Sequence, residues 1–294
     1  MMDLVVRVPR LPEPGETLFG KDFSEGFGGK GANQAVLAAR LGAAVRIAVK
    51  LGRDSYGDKM LQNFQREGID TTFVGRAPGA SGIALITVAE SGENVISIVP
   101  GANSTLSPED VMGAVPEAKV LIAQLETPLD TTLAAFRLAK QGRTTTLLNP
   151  APAAELPAEL LALTDILIPN EVEAGTLSGR RVETPEDAKD AAKALLERGP
   201  KAVVITLGGR GALLATTDEA PKHIPVDPAR VVDTTGAGDA FVGSLGYFLA
   251  CQPDLPLPEA VARACRVAAL TVQKPGAQSS YPERAEVAAI LGPA

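Results

Sequence analysis

The chain has 294 residues, of which 45% are hydrophobic, 4% aromatic and none tryptophan, enough apolar material for one large α/β domain or two small ones. Its net charge of −7 argues against an extended nucleic-acid surface, while leaving room for a local basic pocket that takes a nucleotide. No run approaches the roughly 18 apolar residues of a membrane span, Met1-Met2-Asp3 does not open a signal peptide, and one His with two Cys cannot build a usual zinc site.

In chain order, residues 4–8 and 18–23 are strand-like and are separated by a Pro- and Gly-rich stretch. A helical pattern covers 35–41, then a strand 45–50 and a helix 56–67. Residues 83–88 and 94–99 flank Ala89-Glu90-Ser91-Gly92-Glu93 and read as a β-hairpin. Strands follow at 119–123, 144–148 and 166–168, with a helix over 128–140 and a loop with a short helix over 150–163. A helix over 171–177 and one over 185–198, N-capped by Thr184, precede the β-branched run 202–206, a strand buried on both faces. Residues 212–215 form another strand and 240–250 a helix. This alternation predicts an α/β fold, a three-layer doubly wound sheet that is mostly parallel. Cys251 and Cys265 fall in helical segments and are expected to be reduced, in a cytoplasmic setting or, in a eukaryote, also a nuclear one. His223 reads as a loop or strand residue.

Two glycine-rich stretches carry the chemistry. Asp233-Thr234-Thr235-Gly236-Ala237-Gly238-Asp239 follows Val231-Val232 and precedes a helix, so a strand, a glycine turn and a helix start are expected to meet there. Unpaired N–H groups at a helix N-terminus attract an anion, and glycines let it approach. A carboxylate beside such a hole repels the anion, which makes sense if Asp239 takes a proton from a hydroxyl attacking a phosphoryl group. It could also be an ordinary helix-capping Asp. Phe27-Gly28-Gly29-Lys30-Gly31-Ala32-Asn33-Gln34 is a second glycine-rich helix start, and two such starts suit a substrate with two ends.

Gly28 to Gln34 and Asp233 to Asp239 resemble the two signatures of the ribokinase-type (PfkB) carbohydrate kinase family. Pro14-Gly15-Glu16-Thr17, Gly101-Ala102-Asn103, Gln124-Leu125-Glu126, Asn149-Pro150-Ala151-Pro152, Pro169-Asn170-Glu171, Ile205-Thr206-Leu207-Gly208 and Gly276-Ala277-Gln278-Ser279-Ser280 extend the likeness from Asp3 to about Tyr281. They are most similar to the ribose-phosphorylating branch, and Pro221-Lys222-His223-Ile224-Pro225 and Ser279-Ser280-Tyr281-Pro282 to its animal members. The resemblance implies one kinase domain over 1–294 with a small β-sheet lid, about residues 4–24 and 82–100, that pairs between subunits of a homodimer. It implies transfer of the ATP γ-phosphoryl group to O5 of D-ribose, with Asp239 as base and the N–H groups of Gly236, Ala237 and Gly238 as anion hole. Ribose contacts are implied for Asp3, Gly29, Lys30, Gly31, Ala32, Asn33 and Glu126. ATP contacts are implied for Asn170, Thr206, Leu207, Gly208, Gly209, Arg210, Gly211, Gly238 and Cys265. Mg²⁺ is expected on the phosphates, with Asn170 and Glu173 matching an Asn-x-x-Glu pattern, and K⁺ at Asp233, Thr235, Thr271, Lys274, Gly276 and Ser280. Short of the resemblance, Lys30 could be a surface lysine, Asn33 and Asn170 helix caps, Asp233 a turn residue, and the glycines after Thr206 a hairpin turn.

Two departures stand out. The family carries an apolar strand and a Gly-Ser turn before the Asp matched by Asp3, where this sequence has only two methionines, so the first core strand is expected to be missing. Animal members tend to have Asn where Cys265 stands, so packing would replace hydrogen bonding to adenine there. The competing readings are another sugar or nucleoside kinase of the same superfamily, or a truncated, inactive ligand-binding or dimerising protein. An NAD-dependent dehydrogenase is disfavoured, since no Gly-x-Gly-x-x-Gly follows a first strand with an acid about 20 residues on.

Overall fold

The computed structural model describes residues 1–292. In chain order they form β1 (Met2–Val8), β2 (Asp22–Phe27), α1 (Lys30–Leu41), β3 (Arg46–Gly52), α2 (Ser55–Arg66), β4 (Asp70–Ala77), β5 (Ile83–Ala89) and β6 (Asn94–Val99). Next come α3 (Pro108–Val111), β7 (Val120–Ala123), α4 (Leu129–Ala139), β8 (Thr145–Leu148), α5 (Ala158–Ala162), β9 (Ile166–Leu167), α6 (Glu171–Ser178) and α7 (Pro185–Leu196). Then follow β10 (Ala202–Thr206), β11 (Ala212–Thr216), β12 (Lys222–Ile224), α8 (Ala237–Cys251), α9 (Leu257–Thr271) and α10 (Ala288–Leu291).

The main sheet has the order β12-β11-β10-β9-β8-β7, with β7 to β10 mutually parallel and β11 and β12 antiparallel. Successive residues of its strands serve opposite faces. Ala202 and Val204 join the core under α1, α8 and α9, whereas Val203 and Ile205 join the core under α7. Three layers result, with the strands buried on both sides, as their apolar runs require. The helix ends follow local chemistry: Asp54 caps α2 by accepting from the Gly57 N–H at 2.7 Å, and Thr184 and Asp187 form a capping box on α7.

A separate four-stranded sheet, β2-β1-β5-β6, takes in the segments expected to form a lid, with β1 and β5 parallel and the other pairs antiparallel. Its strand β6 is exposed along its whole length, Val95, Ile96, Ile98 and Val99 included. β3 and β4 form a parallel pair of their own. β1 therefore belongs to the smaller four-stranded sheet and not to the main one. β3 and β7 each have one hydrogen-bonded neighbour, and a cavity of about 950 Å³ lies between them, lined by Ile47, Val49, Leu121 and Ile122 among others.

Two element assignments need correction. The second lid strand is Asp22–Phe27 rather than 18–23, because pairing to β1 starts only where Asp22 meets Arg7. No strand covers Val231-Val232; both are exposed, and the Val232 N–H donates instead to the carbonyl of Val272 at the end of α9, 2.7 Å away. Cys251 and Cys265 are both free thiols.

Candidate active site

α1 and α8 lie side by side at very close range. Gly243 makes this possible, since a Cβ there would sit 2.5 Å from the Gln34 carbonyl oxygen. The approach brings the two glycine-rich helix starts, some 200 residues apart in sequence, to one carboxylate. Asn33 Nδ2 donates to Asp239 Oδ2 and Gln34 Nε2 to Asp239 Oδ1, each at 2.9 Å. Asp239 is 8% exposed, and burial pushes its pKa up, against Lys30 and the Asn33 and Gln34 amides, which pull it down.

Three more carboxylates share this field. Burial raises Asp3 to about 6, partly offset by the chain's N-terminal ammonium and reinforced by Asp239. Its carboxylate fills the space where a Cβ of residue 28 would lie, so the glycine there is required. Glu126, on the loop after β7, accepts from the Lys30 N–H at 2.8 Å and so caps α1; burial raises it too. Glu173, near the start of α6, is also raised by burial and feels both Lys30 and Asp239. Lys30 is thus the common counter-charge of three acids, Glu126, Glu173 and Asp239.

At the start of α8, Gly236 takes φ +76° as N-cap, a conformation that only glycine adopts readily. The Ala237 N–H turns back to the Thr234 carbonyl at 3.2 Å. Among the described residues, the N–H groups of Gly236, Gly238 and Asp239 have no protein acceptor. Tyr281 Oη donates to the Gly236 carbonyl at 3.0 Å and fixes the turn from behind. Asp233 clamps the neighbouring loops: Oδ1 accepts from the N–H and hydroxyl of Thr235, and Oδ2 from the Gly276 N–H at 2.8 Å. Burial would raise Asp233, but these donors hold it below the usual carboxylate range.

A profile of the pfkB family carbohydrate kinases matches residues 1–284. The chain belongs to the pfkB family of carbohydrate kinases. It is 46% identical to mouse ribokinase over 293 residues, covering 98% of this chain and 91% of that protein. The crystal structure of Thermotoga maritima ribokinase superposes with a TM-score of 0.90 at 37% identity, covering 99% and 96% of the two chains. Arabidopsis thaliana ribokinase, solved with ribose and ATP bound, gives a TM-score of 0.90 at 32% identity, covering 100% and 96%.

Within this pfkB kinase, Asn170 and the Thr206-to-Gly211 stretch, assigned to the nucleotide, follow the C-terminal ends of β9 and β10, where an open α/β sheet places ligands, while the other two assigned positions, Gly238 and Cys265, lie on α8 and α9. Asn170 caps α6 in a full capping box: its Oδ1 accepts from the Glu173 N–H, and Glu173 accepts from the Asn170 N–H and Nδ2. Thr206 ends β10, Leu207 is buried, and Gly208 to Gly211 form the tight connection to antiparallel β11, so the hairpin reading of this glycine run holds locally. Space is open above Gly208 and Gly209. Arg210 is committed to Glu171 and to the Glu183 carbonyl. Cys265 sits in the core of α9 with its thiol pushed up to about 12 by burial. Of the positions assigned to K⁺, Thr235 and Gly276 are hydrogen-bonded to Asp233, Thr271 ends α9 beside Val272, whose carbonyl accepts from the Asp233 N–H, the Lys274 side chain pairs with Glu286, and Ser280 is buried against the Ala277 carbonyl.

Sequence reasoning missed several residues that the fold brings here. Gln34 was visible only as part of its motif, yet it holds Asp239 directly and accepts from Gln124 Nε2. Gln278 and Tyr281 were likewise visible only inside stretches that carry the resemblance, and Asn63 gave no local signal, because an amide in a polar stretch reads as surface. All three are at most 5% exposed. Polar residues buried to that degree are the signal that a structure adds.

Proposed function

We propose that this chain transfers the γ-phosphoryl group of ATP to O5 of D-ribose, giving ADP and D-ribose 5-phosphate. The supporting observation is the meeting of the two signature stretches on one buried carboxylate, Asp239, in a fold shared with ribokinases. Asp239 accepts the O5 proton as O5 attacks the γ-phosphorus; the bond from that phosphorus to the bridging oxygen breaks, and its electron pair leaves with ADP. The N–H groups of Gly236 and Gly238 hold the charge that develops on the transferring group. Ala237 contributes less, because its N–H already serves the Thr234 carbonyl. Asp3, Glu126, Lys30, Asn33 and the Gly29-to-Ala32 backbone bind the sugar hydroxyls; a small polyol offers many hydrogen bonds and little apolar area. Asn170, Thr206 to Gly211 and the helix α9 around Cys265 take the nucleotide.

The donor set fits two cations. Glu173, a buried carboxylate at the phosphate end, would hold Mg²⁺ on ATP through water. The loops joined by Asp233 and Gly276, with carbonyls near Thr271, Lys274 and Ser280, would hold K⁺; the Asp233 oxygens already accept from the protein, so carbonyls dominate that site. Each would supply positive charge near the phosphates. The exposed apolar side chains of β6 support a homodimer through the lid, and the free thiols support a reducing cytoplasmic setting. The whole of residues 1–294 acts as one kinase domain with its lid.

The test is ribose-dependent ADP release with ATP, Mg²⁺ and K⁺, across a panel of pentoses, hexoses and adenosine, with the product identified by ³¹P and ¹³C NMR. Phosphorylation at O5 of ribose in preference to the rest supports the reading. A preferred nucleoside or hexose overturns the substrate, and no turnover from folded protein overturns the reaction.

A further inference from the structure

Asp239 is the end of a longer chain of buried amides. Asn33 Nδ2 donates to Asp239; Gln278 Nε2 donates to Asn33 Oδ1 at 2.9 Å; Asn63 Nδ2 donates to Gln278 Oε1 at 2.9 Å; and the Arg66 guanidinium donates to Asn63 Oδ1. The polarity is dictated by its ends. An ionised carboxylate only accepts and a guanidinium only donates, so each amide between them has one permitted orientation. Asn63, Gln278 and Asn33 are 3%, 5% and 5% exposed, so water does not compete for these bonds.

We propose that Gln278 and Asn63 are positioning residues for the phosphoryl-transfer reaction: through Asn33 they orient the Asp239 carboxylate and hold it ionised, from α2 and the C-terminal loop, without touching substrate. The proposal rests on Asp239 being the base. The other charged and titratable groups around Asp239 are Lys30 on α1, Asp3 on β1, Glu126 after β7, Glu173 on α6 and Tyr281, and none of them belongs to the relay. Removing a relay donor takes a favourable interaction from the ionised form alone, so Asp239 titrates at higher pH.

The experiment is the pH profile of kcat/KM for ribose in Gln278→Met and Asn63→Leu, with kcat, the KM for ATP and thermal melting. The acid limb is expected to move up by roughly half a unit or more in Gln278→Met, a loss of about threefold below the limb, and by less in Asn63→Leu. The KM for ATP stays at the native value. A merely structural role would lower activity by the same factor at every pH. Native acid limbs in folded variants overturn the proposal, and Asn63→Leu decides the matter if Gln278→Met does not fold. Asp239→Asn runs alongside: native turnover in that variant removes the base itself, whereas an inactive Asp239→Asn with unmoved limbs in the relay variants removes only the relay.

Discussion

Asp3 shows what a functional carboxylate costs. Its folded-state pKa, about 6, lies above the usual 3.8, so the native state binds a proton that the unfolded chain releases between those values. Stability from this group is therefore present below about pH 4 and lost as pH rises through 6. Asp165 works in the opposite sense. Burial would raise it, but Lys140, Lys201 and the Thr146 N–H bring it down to about 2, so its stabilisation holds above pH 4 and is lost as pH falls toward 2. Asp3→Asn is expected to raise stability at pH 7–8 by on the order of 1–2 kcal/mol, with the gain gone near pH 4, while ribose affinity falls. Denaturant melts of both proteins across pH check this; an equal shift at all pH values would contradict it. Asp239 was legible in the sequence because an acid beside glycines at a helix start is an unusual choice, whereas Asp3, in Met1-Met2-Asp3-Leu4, was named only through the family resemblance. Gln278 stood only within a stretch carrying the resemblance and Asn63 was not singled out, because only the fold reveals that their amides are buried and paired end to end.

At the scale of elements, the site depends on how closely α1 and α8 approach. Gly243 has no conformational role in mid-helix; its use is the space that its missing Cβ leaves for the Gln34 backbone. Gly243→Ala is expected to push the helices apart, cost about 1–3 kcal/mol, and lower kcat as Asn33 and Gln34 draw away from Asp239. Thermal melting with steady-state kinetics reads both, and a variant with native stability and native kcat would contradict this packing. Strands β7 to β11 of the main sheet and the helices capped by Thr184 and Asn170 were readable from local pattern, because apolar runs and caps are local physics, whereas the three-residue β12, two of whose residues are Lys222 and His223, was not. The second lid strand was displaced by a few residues because its register is set by Arg7 and Asp22 across the pair, and Val231-Val232 looked like a strand although its partner is a helix end. Both outcomes depend on tertiary pairing, which propensity does not encode.

For the whole molecule, the outermost strand of the small sheet, β6, pairs with β5 on one edge only and leaves apolar side chains exposed. Val95 and Val99 on β6 share one face of the sheet with Leu85 and Phe23, and Ile96 and Ile98 lie on the other; all six are between 45% and 57% exposed. A second copy meeting the Ile96 and Ile98 face would bury it. Ile96→Lys is expected to convert a dimer into a monomer in sedimentation velocity and to weaken ribose binding, since the same sheet carries Asp3 on β1. A native protein that sediments as a monomer at micromolar concentration would contradict the lid pairing.

The central claim is that Asp239 is the base that accepts the ribose proton. Its most direct test is a rapid-quench measurement of phosphoryl transfer in Asp239→Asn, with ribose and ATP binding followed by calorimetry on the same sample. The expected result is a chemical step slowed by about 10³-fold or more, with both affinities within a few-fold of native. Transfer at the native rate in a protein that binds both ligands would contradict it.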